Sequence, residues 1–327
     1  MEKLTTEKRA AILRTLVEGS SVASTCRING VNKETALNLI KAVGEACADY
    51  MGAQMVNLPC KVVQLDELWS FVGCKEKAKK TAVGEHPGDV WTWTSLCADT
   101  KLIPSWRVGD RSARTAFEFC GDLAGRFAGD IQITTDGAAP YRFPVCSCFP
   151  DAHFAQLIKI YGTDAEGKEV CIGARKCAVQ GQPDAALIST SYVERSNLTV
   201  RIVNRRFTRK TNAFSKKLEA LCNMLAITFT AYNFTRKHLT LGTTPAVAAG
   251  VASRILRMEE VVEMVDAYAQ RKQDEAYEAA LTKLTPLRIA PKAYAPVKPK
   301  TPWYLDPHSG GKFCPVEDRK PGVDYSD

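Results

Sequence analysis

The sequence lacks several features that mark common classes of protein. No apolar run approaches the ~20 residues of a membrane-spanning helix, so no membrane span is expected. A glycine-rich phosphate loop and a Ser/His/Asp nucleophile arrangement are both absent, and no small-molecule cofactor is expected. The twelve cysteines include no CxxC pair and there are only four histidines, so a zinc site is disfavoured.

The overall composition indicates a large globular chain that binds an acidic partner. The chain has 327 residues, 45% of them hydrophobic, which is enough for two or three domains with a substantial core. Lys and Arg outnumber Asp and Glu by 44 to 36, a net charge of +8 that favours nucleic acid as the partner. Met1-Glu-Lys begins a charged stretch instead of an apolar export segment, which predicts a cytoplasmic protein with free thiols.

The most unusual stretch is a basic segment headed by a single acid. Between Glu194 and Lys217 there are eight Lys or Arg residues and no other Asp or Glu. A carboxylate in such a segment is suited to binding a divalent cation, while the basic side chains are suited to binding phosphates. The segment therefore predicts metal-dependent phosphoryl transfer on nucleic acid.

Two further acids are placed where they could join Glu194. Asp66 lies in an apolar, β-rich run, where an acid is costly unless it is bound or at an edge. Asp136 follows the strand pattern Ile131–Thr135, so it sits where a strand ends. The three acids are thus predicted to lie within a strand, at the end of a strand and on a helix, in that order, and they are separated by 70 and 58 residues. This order predicts an α/β fold with a ribonuclease H-like mixed sheet flanked by helices.

Three motifs around these acids resemble the insertion-sequence-one family of bacterial DDE transposases. They are Asp66-Glu-Leu-Trp-Ser-Phe-Val72, Ile133-Thr-Thr-Asp136-Gly and Val193-Glu194-Arg-Ser-Asn-Leu-Thr. The resemblance covers about residues 60–220. It implies a nucleoid-associated bacterial transposase that binds the ends of an insertion sequence, assembles as a homo-oligomer on double-stranded DNA, and cuts and joins DNA strands.

The resemblance also assigns the catalytic site. Asp66, Asp136 and Glu194 are expected to hold two Mg²⁺ or Mn²⁺ ions, one beside the attacking oxygen and one beside the leaving oxygen. Adjacent strand residues face opposite sides, so only one of Asp66 and Glu67 is expected to join the site, and the motif match selects Asp66. The family commonly carries a cysteine-rich zinc segment near its N-terminus. Here only Cys26 and Cys47 are present, so the chain departs from that pattern.

Residues 5–50 have the pattern of three helices with glycine-containing breaks. Two short helices around a turn are typical of a helix-turn-helix, whose last helix enters the major groove of DNA. Plain three-helix packing is the alternative. The side chains expected to contact bases are Asn32, Lys33, Thr35 and Asn38. Those expected to contact phosphates are Arg195, Arg201, Arg205, Arg206, Arg209 and Lys210. Asn197 is expected to orient Glu194 or to contact DNA.

The remaining pattern predicts the order of the elements. Strands are expected at Cys60–Val72, Asp89–Cys97, Leu102–Val108, Ile131–Thr135 and Ala152–Ile160, with helices at Ser112–Phe127, Ser191–Arg209 and Ser215–Phe234. Residues 161–190 show no clear period and are expected to form a loop.

Four domains follow: a helix-turn-helix at 1–55, the catalytic domain at 60–250, a helical extension at 251–285 and a flexible Pro/Lys-rich tail at 286–327. Two other functions stay open: a regulator that keeps the fold without catalysis, and a plain nuclease of the same fold.

Overall fold

The computed structural model of the chain describes residues 4–81, 87–164, 166–208 and 212–284, together with two short strands at 303–305 and 313–315. The chain divides into two compact units, residues 1–271 and residues 272–327. In the described residues, no helix combines the length and apolar character that a membrane span requires.

The first unit begins with three helices and continues as alternating strands and helices. In chain order the elements are α1 (Thr6–Val17), α2 (Val22–Asn29), α3 (Lys33–Gln54), β1 (Val62–Val72), β2 (Gly88–Cys97), β3 (Trp106–Gly109), α4 (Ala113–Ala124), β4 (Gln132–Asp136), α5 (Arg142–Cys148), β5 (His153–Thr163), β6 (Glu169–Gln180), α6 (Ser191–Val203), α7 (Leu218–Thr230), α8 (Pro245–Ala248) and α9 (Met258–Leu284). Helix α9 continues into the second unit, which also contains β7 (Trp303–Leu305) and β8 (Phe313–Pro315), a two-stranded antiparallel pair.

Six strands form one mixed sheet in the order β3-β2-β1-β4-β5-β6. β1, β2 and β3 are an antiparallel meander, β4 runs parallel to both β1 and β5, and β6 is an antiparallel edge strand. The N-terminal half of β1 is buried on both faces because it is a central strand covered from both sides. This α/β architecture is compatible with the predicted ribonuclease H-like sheet.

Helices cover both faces of the sheet. On one face Trp93 of β2 packs against Phe119 of α4. On the other face the next residue, Thr94, meets Asn197 of α6. Successive strand residues point to opposite faces, so β2 contacts the helices on both faces of the sheet.

The N-terminal helices share a hydrophobic core with the helices that follow the sheet. Apolar side chains of α1 and α3 form one buried cluster with those of α7 and the start of α9. Helices α3 and α7 approach so closely at Gly44 that a Cβ there would lie 2.4 Å from the Cβ of Asn223. Each of the three N-terminal helices begins with a side-chain cap, provided by Thr5, Ser21 and Asn32.

Several sequence expectations need correction. Residues 161–190 are not simply a loop, because they contain the end of β5 and all of β6. The strand expected from Leu102 begins only at Trp106, and the helix expected from Ser215 begins at Leu218 and ends at Thr230, followed by a π-helical turn. Helix α6 ends at Val203, so Arg201 and Arg205 do not form a row along one helix. The flexible tail predicted at 286–327 lies outside the described residues except for β7 and β8.

Candidate active site and adjoining basic surfaces

Three carboxylates meet where β1 and β4 lie side by side. These strands are parallel and paired up to Gln64 and Thr134, so two residues further along each strand lie Asp66 and Asp136. Oxygens of Asp66, Glu67 and Asp136 all lie within 4.8 Å of one another. Among the described residues this is the one group of acids, cysteines or histidines arranged closely enough to hold a metal ion.

The presence of Glu67 corrects the expectation that only one of the two neighbouring acids joins the site. Asp66 faces α6, whereas Glu67 lies on the opposite face, where Arg111 Nε donates to its Oε1 at 2.8 Å. Oxygens of both side chains nevertheless lie within 4.8 Å of an oxygen of Asp136, which ends β4. The end of β4 therefore gathers acids that strand alternation alone would separate.

The cluster holds more negative charge than its surroundings neutralise. Burial, followed by the charges of Glu67 and Asp136, raises the pKa of Asp66 to about 7. Burial also raises the pKa of Glu67, although Arg111 opposes this shift. Two buried oxygens, Glu67 Oε2 and Tyr141 Oη, have no hydrogen-bond partner of good geometry among the described residues, although the two side chains lie close enough to influence each other's pKa. Hard oxygen donors with unmet charge are suited to binding Mg²⁺ or Mn²⁺.

Asn197 fixes the position of Asp66. Its Nδ2 donates to Asp66 Oδ2 at 2.8 Å, and its Oδ1 accepts from the hydroxyl of Thr94 at 3.3 Å. The same hydroxyl lies 3.2 Å from the backbone carbonyl of Asp66. Asn197 is buried, so the structure places it as a support for Asp66. The proposed contact of Asn197 with DNA stays a prediction.

We expect Asn197→Ala to weaken metal binding, because a carboxylate ligand that loses its orienting hydrogen bond binds less well. Removal of such an outer-shell partner typically costs ~10–100-fold in affinity. Titration of the full chain with Mn²⁺, followed by electron paramagnetic resonance, measures the effect. The control Asn38→Ala changes an exposed amide on α3 and should leave the affinity unchanged. Equal affinity in both variants would remove Asn197 from the site.

Glu194 borders the same cleft but lies outside the close cluster. A cleft of about 560 Å³ is lined by Asp66, Glu67, Lys159, Glu194, Asn197 and Arg201, among others. Glu194 Oε1 accepts from Lys159 Nζ at 2.8 Å and from Thr190 Oγ1 at 2.6 Å. The bond to Glu194 raises the pKa of Lys159 and keeps its ammonium charged. Two of the three predicted acids are thus in contact range, and the third is paired with a lysine.

The predicted phosphate-binding residues are in different environments. Arg201 lines the cleft, and Arg195 is exposed on another face of α6. Arg205 is exposed in a 3₁₀ turn beyond the helix. Arg206 is half-buried; burial lowers its pKa to about 10, and its Nη1 donates to Ser215 Oγ at 2.8 Å. The remaining two, Arg209 and Lys210, lie outside the described residues.

The N-terminal helices and the segment after α6 enclose a basic groove. This groove has a volume of about 1000 Å³ and is lined by Lys33 and Leu37 of α3 and by Arg205, Lys216 and Lys217, among others. Asn32 caps α3 by accepting from Thr35 N at 2.7 Å, and Asn38 is exposed. The groove therefore brings the start of α3 to the basic segment that the sequence singles out.

The sequence reasoning missed two residues of the site, Arg111 and Lys159, and wrongly excluded a third, Glu67. Lys159 carried a usable signal, because a lysine within the apolar run Leu157-Ile-Lys-Ile160 is as unusual as Asp66 in its own strand. Arg111 follows β3 in an exposed turn and carries no such signal.

Comparison with known proteins gives no family assignment. No family model matches the chain, and no curated protein matches it. Among solved structures, the chain is similar to a piggyBac transposase in a synaptic complex with hairpin DNA. The TM-score is 0.38 at 8% identity, covering 88% of this chain and 79% of the other. That TM-score is too low to establish a shared fold, so the resemblance to the insertion-sequence-one family stays a prediction from the motifs.

Proposed function

We propose that the protein is a DDE transposase that cuts and joins DNA strands with the help of divalent metal ions. The observation that carries this proposal is the convergence of Asp66, Glu67 and Asp136 within 4.8 Å where the central strand β4 ends beside β1. Partly buried carboxylates that repel one another are costly for a folded chain, and bound cations would offset that cost. A regulator without catalysis has no use for such a cluster.

Each group in the cleft has a role in this proposal. Asp66 and Asp136, with Glu194 across the cleft, would hold two Mg²⁺ or Mn²⁺ ions. Such ions, when bound, increase the nucleophilicity of an attacking oxygen and stabilise a leaving oxygen. Asn197 orients Asp66 through its amide, and Arg111 holds Glu67. Arg201 lines the cleft and would contact the phosphate that reacts.

DNA recognition in this proposal uses the basic groove. Lys33 and Asn38 on α3 would contact base edges, while Arg205, Lys216 and Lys217 would contact the backbone of the element's end. The helix-turn-helix at 1–55, the catalytic domain at 60–250 and assembly on DNA belong to the same proposal. Because the N-terminal helices share a core with α7 and α9, the binding test uses the full chain.

The proposal is tested with the full-length protein and linear DNA that carries the element's two ends. In Mg²⁺ we expect cleavage at the boundary of the element and joining of the released 3′ ends to a target plasmid. EDTA should abolish both reactions without abolishing end binding. Cleavage without joined products would instead identify a nuclease, and binding without cleavage in Mg²⁺ or Mn²⁺ would identify a regulator.

A further inference from the structure

A second cavity lies along a different face of α6 from the one that carries Glu194 and Asn197. It has a volume of about 450 Å³. Tyr192, Arg195 and Thr199 contribute its α6 wall, while Glu194, Asn197 and Arg201 line the carboxylate cleft. Helix α6 thus borders both the basic cavity and the candidate active site, and Ile202 lines both.

The cavity collects cations from three separate parts of the chain. Arg195 comes from α6, Lys101 from the turn between β2 and β3, and Arg236 and Lys237 from the segment after α7. Among the described residues that line it, none is acidic. Outside the lining, Arg236 Nη2 lies 4.0 Å from a carboxylate oxygen of Glu18. Because the fold, not sequence proximity, assembles these charges, the cavity differs from an ordinary solvated run of basic residues.

Lys101 is the most informative of these cations. Only 9% of its surface is exposed, and its backbone has a φ of +59°, a left-handed conformation that non-glycine residues seldom adopt. Its ammonium donates to the carbonyl of Ala98 and lies 3.3 Å from the ring centroid of Tyr192. Within the described residues, no carboxylate is paired with it. A buried ammonium held in this way favours an anion in the adjoining cavity.

We propose that this cavity binds a backbone phosphate of the DNA strand whose reacting phosphate lies in the carboxylate cleft. This inference rests on the proposed function. An α-helix with its side chains is ~10–12 Å across, and successive phosphates rise ~3.4 Å along a duplex strand. The bound phosphate therefore lies about three nucleotides from the cleavage point. Tyr192 and Leu239 are exposed where they line the cavity and would contact the neighbouring sugar or base.

The test uses a full-length Arg236→Gln/Lys237→Gln variant and a labelled duplex, with binding measured in EDTA over a range of salt concentrations. We expect the plot of log affinity against log salt to flatten by about one unit, because the two side chains contact one phosphate, and to do so equally for end and random DNA. The matched control is Lys61→Gln/Lys168→Gln, which removes the same charge from two exposed sites elsewhere. The charge-keeping variant Arg236→Lys/Lys237→Arg should retain the wild-type slope.

A methylphosphonate scan locates the contact. A neutral linkage about three nucleotides from the cleavage point should weaken binding by the wild type and leave the Gln variant unaffected. If the Gln variant melts well below the wild type, Arg195→Gln is used in its place, because Arg195 is an exposed residue of the same cavity. The expected flattening of the salt plot is then about one unit.

The outcomes separate this inference from the proposed function. Failure of the wild type to bind DNA would overturn the proposed function. Wild-type binding with the same salt slope in the Gln variant, or equal flattening in the matched control, would overturn only the phosphate site.

Discussion

Replacement of Asp66 by asparagine is expected to reduce DNA cleavage by ~10³-fold or more, because it removes a charged ligand at the point where charge develops. The same substitution should stabilise the metal-free protein at alkaline pH. Asparagine keeps the shape of aspartate, ends the cost of burying an ionised carboxylate and removes its repulsion with Glu67 and Asp136. Activity and stability should therefore move in opposite directions, which unfolding cannot produce.

The sign of the stability change follows from the pKa of Asp66, which is raised from 3.8 to about 7. The folded protein binds this proton more tightly than the unfolded chain does. Ionised Asp66 therefore weakens the fold progressively from about pH 4 to pH 7, and the full cost is present above pH 7. In EDTA at pH 8 the variant should melt several degrees above the wild type, and the difference should vanish toward pH 4.

Asp99→Asn is the control, since Asp99 is an exposed acid just beyond the end of β2 and lies outside the cluster. It should change neither cleavage nor the melting temperature. If Asp66→Asn melts below the wild type at pH 8, ionised Asp66 does not destabilise the fold, whatever the protein's activity.

Gly44→Ala is expected to destabilise the full-length protein by about 3 kcal/mol, at the upper end of typical overpacking costs. The added Cβ would lie 2.4 Å from the Cβ and 2.6 Å from the Cα of Asn223. Backbone atoms of α7 cannot move aside as a flexible side chain would, so α3 and α7 must separate. Urea unfolding of the full chain measures the change in free energy.

The same helix provides a matched control in Gly52, where an added Cβ would have no neighbour within 4 Å. Gly52→Ala should stabilise the protein by roughly 0.5–1 kcal/mol, since alanine favours the helix more than glycine does. Equal effects at the two positions would show that α3 does not pack closely on α7. The N-terminal helices would then be a separate unit.

The elements with strong periodic patterns were predictable from the sequence. The apolar run containing Asp66 became β1, and the pattern Ile131–Thr135 became β4 shifted by one residue. The placement of Asp66 beside Asp136 followed from the strand order, since parallel strands bring equivalent positions together. These predictions depended on local signals, namely hydrophobic runs and the acids that interrupt them.

The remaining differences between the predicted and the observed elements arise from tertiary contacts. Strand β6 is exposed along most of its length and shows no alternation for a pattern to detect. Helix α6 was expected to continue through its basic residues, which favour helices, but it stops at Asn204. The side chain of Asn204 donates to Thr228 Oγ1 at 3.0 Å and accepts from Arg206 N at 3.2 Å. No local pattern reveals a partner 24 residues away.

The β5–β6 pair has a mechanical consequence for the site. Strand β5 pairs with β4 only as far as Leu157, and beyond that point its recorded strand partner is β6. A two-stranded ribbon is held less rigidly than a central strand, so the ribbon can bend where it leaves the sheet. Lys159 lies two residues past that departure point and is paired with Glu194. A force on the outer ribbon would therefore act on Glu194, one of the carboxylates proposed to hold metal ions.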